Sequence, residues 1–475
     1  MRHHVFSRRS GLSLATAVAI SGFLAVPAQA AGPRGTSPHG TTELVNPVDG
    51  EAGVGAPDAS TTAPAVTPDG RYVAFQSRAV NIPVAPGTDS NNAQDIFVRD
   101  TETGTARRIS NNPAGDAANR DSISPAISDD GRYVAFASNA SDLVPVDGTN
   151  IAAYDIFVSD LDTGGITKIS TGLDDTPDSG GGSASSISAD GGVVAFRSAS
   201  PDLVPGDTNG LTDVFVWQRS TGRISRVSVT SSGAQATSVA GAKRQDSVSP
   251  KVSGDGKTVV FVSGATNLVP GDTNGLTDLF AHSLVTGDTT RVSVGPNGEQ
   301  ATGGVAAQGI GATDVTVSAD GTVIGWDGNS LHGLVDDDLP YRSTGFVTDL
   351  TTGAVRVAGE TVTGGPTTDT VSHATVSPDG AFVTFQAYES DLVADDTNRT
   401  YDVFVQSLES GRTVRVSVAS DGTEGDGISG SEGLALLPGG SSVLFTSRAT
   451  NLVADPISYV DNLYVHRFSP GFWTD

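Results

Sequence analysis

Short runs in which apolar and polar residues alternate recur along the whole chain, and their period of two predicts β-strands rather than helices. Arg71-Tyr72-Val73-Ala74-Phe75-Gln76-Ser77 is one such run. A shorter run of small and β-branched residues precedes each of them, as in Ser124-Pro125-Ala126-Ile127-Ser128. A third run follows that is apolar on both faces: Asp95-Ile96-Phe97-Val98, Asp155-Ile156-Phe157-Val158, Asp213-Val214-Phe215-Val216 and Asp402-Val403-Phe404-Val405. The fourth, Arg226-Val227-Ser228-Val229 and its equivalents, comes after a Thr-Gly or Ser-Gly turn.

The turn between the first two runs is itself periodic. It reads T-P-D-G at 67–70, S-D-D-G at 128–131, S-A-D-G at 188–191, S-G-D-G at 253–256, S-A-D-G at 318–321, S-P-D-G at 377–380 and L-P-G-G at 437–440. Its last glycines are spaced by 61, 60, 65, 65, 59 and 60 residues. Even spacing of this kind requires a repeated structural unit. A strand apolar on both faces must be covered on both, and four-stranded sheets packed radially do this for every unit at once. The fold expected is all-β: a seven-bladed β-propeller with four antiparallel strands per blade.

The last unit stops after its third strand, Asn462-Leu463-Tyr464-Val465-His466, while Thr42-Glu43-Leu44-Val45 lies upstream of any first strand. The N-terminal segment is therefore expected to complete the last blade, which removes two exposed sheet edges. The S-P-D-G turn, the alternating strand, D-I-F-V and the T-G turn together resemble the WD-like repeats of TolB-like propellers. That resemblance covers essentially the whole chain after its first thirty residues and implies a fold, not an activity.

Residues 1–30 read as an export signal: Arg2, Arg8 and Arg9, an apolar stretch from Leu12 to Val26, then Ala28-Gln29-Ala30. Ser7-Arg8-Arg9-Ser10-Gly11-Leu12 also resembles a twin-arginine signal, and both export routes stay open. The stretch is too short and interrupted for a membrane span. Residues 31–41 are a Gly/Pro/Ser-rich leader, and 42–475 form the propeller. A secreted monomer follows, without a membrane span.

Composition narrows the chemistry. There is no cysteine among the 475 residues, so neither disulfides nor thiolate metal ligands are available. Removing residues 1–30 takes away three arginines and no acid, which moves the net charge from −26 to −29. Such a surface repels nucleic acid and anionic lipid. The 37% apolar content argues against disorder.

In an antiparallel blade the first and third connections share one end, and the second connection and the crossover share the other. The first two are tight turns and the other two are long, so binding groups are expected on the long-loop face. The second connection repeats Asp-x-Asn-x-x-x-Asp: Asp89, Asn91, Asp95; Asp207, Asn209, Asp213; Asp272, Asn274, Asp278; and Asp396, Asn398, Asp402. These oxygens suit calcium. The same residues also suit an Asx turn with Asp and Asn bonded to local backbone, and the spacing leaves both readings standing.

Histidines beyond the leader are His282, His332, His373 and His466, at no zinc-like spacing. A polysaccharide lyase or glycoside hydrolase would need several of them, or the loop carboxylates, to converge. The fifth unit diverges: it has lost its third-strand motif and inserts Trp326 and His332 near Asp336-Asp337-Asp338. No G-x-S-x-G elbow occurs. The expected function is non-enzymatic binding of a protein or carbohydrate partner without a cofactor. Propeller catalysis and a calcium-stabilised structural or adhesion module are the alternatives.

Overall fold

A computed structural model describes residues 40–45, 59–82, 91–145, 153–173, 181–237, 246–301, 315–329, 334–335, 343–361, 370–388, 391–454 and 459–474. The expected export signal over residues 1–30, most of the expected leader, Asp89, His332 and Asp336 to Asp338 lie outside the described residues.

Seven four-stranded antiparallel sheets follow one another along the chain. Blade 1 comprises Thr61–Val66, Tyr72–Ser77, Asp95–Asp100 and Ala106–Arg108. Blades 2 to 4 repeat this plan up to Thr289–Arg291. Blade 5 has Val315–Val317, Val323–Asn329, Ser343–Asp349 and Ala354–Val357; blade 6 has Val371–Val376, Phe382–Ala387, Asp402–Ser407 and Thr413–Arg415. Blade 7 takes three strands, Ser429–Leu436, Ser442–Ser447 and Asn462–Phe468, from the end of the chain and its fourth, Gly40–Leu44, from the beginning. Leu44 is paired with Tyr464 and Thr42 with His466, as the two half-complete ends of the sequence required.

The first turn holds each blade together locally. In blade 2, Ser128 Oγ donates to Asp130 Oδ1 (2.5 Å) and accepts from Tyr133 N–H (2.9 Å), while Gly131 N–H returns to Ser128 O (2.9 Å). Gly131 sits at φ 69°, and a Cβ there would enter the ring of Tyr72 from blade 1. Glycine is therefore needed twice over, for the left-handed backbone and for the close approach.

The core forms between blades. Ala74, Ile96 and Val98 of blade 1 pack with Val134, Phe136 and Phe157 of blade 2. The ring closes where Val73, Phe75 and Phe97 of blade 1 meet Leu444, Leu463 and Val465 of blade 7. Within every blade one aromatic of the second strand stacks on one of the third, from Phe75–Phe97 (5.6 Å between centroids) to Phe445–Tyr464 (5.8 Å). Each fully buried aromatic of this kind contributes about 1.5–3 kcal/mol of transfer free energy.

Blade 5 keeps the expected four strands although its third-strand motif is lost. Its third strand is present as Ser343–Asp349 with Phe346 in the usual aromatic place, and Trp326 is the second-strand partner stacked on it at 4.6 Å. The indole Nε1–H donates to Thr348 Oγ1 at 2.9 Å. The strand survives without its Asp-Ile-Phe-Val sequence because stacking and burial, not the leading Asp, hold it.

Candidate functional site

The tight-turn end and the long-connection end of the ring carry different groups. The first residue of an inner strand bonds to the carbonyl that precedes the third strand of the blade before it: Ser122 N–H to Gln94 O (2.6 Å), Ser247 to Thr212 (2.8 Å), Ser429 to Tyr401 (2.9 Å) and Thr61 to Asp461 (2.8 Å). These latches lie at the long-connection end. Around them are an Arg78–Asp121 contact at 3.4 Å and a two-pronged Arg448–Asp461 pair with both distances at 2.9 Å. Burial beside Asp461 raises the Glu432 carboxyl above its ordinary range.

Of the five exposed large apolar side chains among the described residues, four follow a second or fourth strand or precede a third: Val80, Leu173, Tyr388 and Tyr459. All four therefore lie at the long-connection end; Tyr459 is 69% exposed, and the edge of Tyr388 meets Tyr401 at 5.3 Å. Val285 alone of the five is at the tight-turn end. That end also has two recesses, one lined by Asp190, Gly192, Gln218 and Arg219, the other by Tyr72, Asp100, Thr105 and Arg107. Both are furrows between turns whose acids are already engaged, Asp190 by Ser188 Oγ and Gly192 N–H, and Asp100 by Arg71.

The Asp-x-Asn-x-x-x-Asp loops do bring their side chains together. The last Asp opens the third strand and is buried, with Oδ1 accepting from a serine fifteen residues on: Ser110 to Asp95 (2.5 Å), Ser228 to Asp213 (2.5 Å), Ser293 to Asp278 (2.6 Å), and Ser417 to Asp402. Blade 2 does the same with Ser170 and Asp155 (2.9 Å). Each serine also accepts the N–H of the residue after the Asp, as from Val214 at 3.1 Å, so the hydroxyl bridges the third strand to the end of the fourth.

The asparagines build turns. Asn209 Oδ1 accepts from Leu211 N–H (3.0 Å), while Nδ2 donates to Asp213 Oδ2 (2.8 Å) and to Ala236 O (3.1 Å). A backbone donor on one side and a backbone acceptor on the other fix the orientation of the amide. Asn91 repeats the pattern with Ala93, Asp95 and Ala118, and Asn398 with Thr400, Asp402 and Gly425. Asn274 holds Leu276 and Ala301 in the same way. The amide nitrogen, not a free oxygen, faces the last Asp.

A fourth-strand arginine sits among the carboxylates, and sequence spacing within the loop gave no sign of it. Arg226 Nη1 is 2.9 Å from Asp207 and 3.2 Å from Asp213. Arg291 is 3.5 Å from Asp272 and 3.8 Å from Asp278. In blade 6, Arg415 lies 2.5 Å from Glu424, 3.6 Å from Asp396 and 3.8 Å from Asp395. Lys168 takes this role for Asp155 at 2.8 Å. Burial raises the carboxyls of Asp213 and Asp278, and most of all those of blade 6: Asp396 is pushed up to about 7, by burial and then by the Asp402 charge, and Asp402 to about 6 by burial.

The described histidines do not form a cluster. His282 and His466 occupy matching third-strand positions of blades 4 and 7, near the tight-turn end, and His373 is in the inner strand of blade 6. His282 Nδ1 meets Thr289 Oγ1 at 2.9 Å. His466 Nδ1 meets Thr42 Oγ1 at 2.8 Å, and Thr42 spends its only hydroxyl proton on Val418 O (2.5 Å), so Nδ1 is the donor. Nε2 is buried without a partner, and burial holds the imidazole down at about 4. Among the described residues no helix is long and apolar enough to cross a membrane.

No family model and no curated protein sequence matches the chain. Solved structures with the same fold include an oligogalacturonate lyase in complex with manganese, 14% identical over 93% of this chain and 96% of that one, with a TM-score of 0.51. Another is oligogalacturonate lyase from Vibrio parahaemolyticus, 13% identical over 92% and 100%, with a TM-score of 0.50. TolB from Acinetobacter baumannii is 17% identical over 74% of this chain, with a TM-score of 0.38, and this chain spans 62% of its length. The likeness is one of propeller fold.

Proposed function

We propose that this protein is a secreted, monomeric, non-enzymatic propeller that binds a protein or carbohydrate partner through its long-connection face. The observation that carries the reading is the one-sided distribution of Val80, Leu173, Tyr388 and Tyr459, set among the polar latches and ion pairs of that end. Tyrosines that are apolar in body and polar at the tip suit both partner classes. The rigid ring beneath lets the face bind without a large ordering cost.

The test is a screen of the purified chain against arrayed glycans and against envelope and extracellular protein fractions, repeated with Tyr388→Ala, Tyr459→Ala and, at the opposite end, Val285→Ser. Binding weakened by the two tyrosine changes and left alone by Val285→Ser is the expected result. Turnover of a polysaccharide at enzyme-like rates would overturn the non-enzymatic reading. The lyases share the propeller ring, and their activity is not carried to this chain by fold alone.

A further inference from the structure

Three repeats of one loop offer a comparison inside a single molecule. Blades 3 and 4 have Gly206 and Gly271 before the first Asp, where blade 6 has Asp395. On the crossover, the side-chain oxygens of Gln235 and Gln300 accept from Thr208 N–H (3.3 Å) and Thr273 N–H (3.0 Å). Glu424 occupies that place in blade 6 and accepts from Thr397 N–H at 2.9 Å. The exchange leaves the hydrogen bond and adds a charge. Arg226 and Arg291 each face two carboxylates, whereas Arg415 faces Asp395, Asp396, Asp402 and Glu424.

Carboxylate oxygens of Asp396, Asp402 and Glu424 lie within 4.8 Å of one another, and among the described residues no other such group of three occurs. A second observation concerns Asp396 by itself. Its side chain is only 2% exposed, and its buried Oδ2 meets no hydrogen-bond donor. In blade 3 the matching Asp207 is held by its arginine at 2.9 Å and has no such orphan. Asp272 of blade 4, with its arginine 3.5 Å away, does leave Oδ1 without a donor, but among the described residues blade 6 alone sets a third carboxylate, Glu424, beside the orphan. A carboxylate oxygen taken from water and given no donor is costly, and one arginine cannot balance four acids.

We propose that blade 6 binds a divalent hard cation, calcium by its chemistry, through Asp396, Asp402 and Glu424. Asp396 Oδ2 supplies the free oxygen. Glu424 Oε1 is filled by Thr397 N–H and Arg415, but Glu424 Oε2 accepts only from Thr397 Oγ1, and the Asp402 oxygens accept one bond each from Asn398 and Ser417, so these have second lone pairs to give. Oxygen-only donors select calcium over zinc or copper, and water completes the coordination shell. The inference stands apart from partner binding at the face and does not rest on it.

The test is isothermal titration of calcium chloride into chelator-treated protein, alongside melting curves with and without calcium. One ion per chain, a dissociation constant of about 10⁻⁵–10⁻³ M and a raised melting temperature are expected. Glu424→Gln installs the residue that blades 3 and 4 already carry, so the variant should fold and melt normally in chelator while binding calcium at least tenfold more weakly. No binding heat and no calcium-dependent melting shift in the parent protein would overturn the site. So would undiminished binding by Glu424→Gln.

Discussion

Protonating His466 should work against the strand that closes the ring. The imidazole is fully buried and neutral, with its single N–H spent on Thr42 of the N-terminal strand and its other nitrogen lacking a donor. Folded, it titrates at about 4; in the unfolded chain it titrates near the ordinary value of about 6.5. Between these values the unfolded chain takes up a proton that the folded chain refuses, so stability is full above the unfolded value and falls as pH drops. Linkage then removes about 2 kcal/mol by pH 5 and about 3 kcal/mol by pH 4. Carboxylates elsewhere titrate over the same range, so the reading must be differential. His466→Gln keeps a donor within reach of Thr42 and cannot titrate. Urea unfolding of both proteins from pH 7.5 to 4.5 should show the parent more stable at the top, with the gap narrowing by about 2 kcal/mol near pH 5. A gap that stays constant with pH would refute the assignment of His466 as a buried neutral latch.

Other changes separate physical causes that the repeats keep together. Gly131→Ala and Gly164→Ala both place a side chain at positive φ (69° and 72°), but only the first meets a ring. Thermal unfolding should show about 1–2 kcal/mol lost at Gly164 and about 1–3 kcal/mol more at Gly131 for displacing Tyr72. Ser293→Ala strands Asp278 Oδ1 and Leu279 N–H inside blade 4 and should cost about 1–3 kcal/mol in urea titrations. Trp326→Phe installs the ring that the second strand carries in all six other blades and should cost less than about 1.5 kcal/mol. Trp326→Ala should cost about 3–5 kcal/mol, and equal losses for the two would deny the stacking its role.

Much of this architecture was written locally. Strand period and the Ser-x-Asp-Gly turns specify four-stranded units because each rests on neighbours a few residues apart, and closure followed by counting strands, since the first and last runs each lack what the other supplies. In blade 5 the count of four strands followed from the repeat, but the position of the third escaped, because it keeps the aromatic without the Asp-Ile-Phe-Val around it and its stacking on Trp326 is a contact between strands. A bulge in the inner strand also escaped: Ala63, Ser124, Ser249 and His373 share positive φ. It lets Ser124 N–H reach Gln76 (2.6 Å), and His373 N–H reach Asp327 (2.6 Å), in the preceding blade.

The candidate cation site divides along the same line. Residue order alone settled that Asp and Asn recur before each third strand and that one end of the ring carries the long connections. It could not settle whether those oxygens face a cation, an arginine or their own backbone. Arg226, Ser228 and Gln235 reach the Asp213 loop from the next strand and the crossover, thirteen or more residues away. Their constant offsets from the third-strand Asp would have revealed them had the repeats been aligned on it. Even so, the surplus charge of blade 6 arises only where Asp395, Asp396, Asp402 and Glu424 meet one guanidinium. Electrostatic energy depends on distance and burial, which sheet pairing and crossover geometry set in three dimensions.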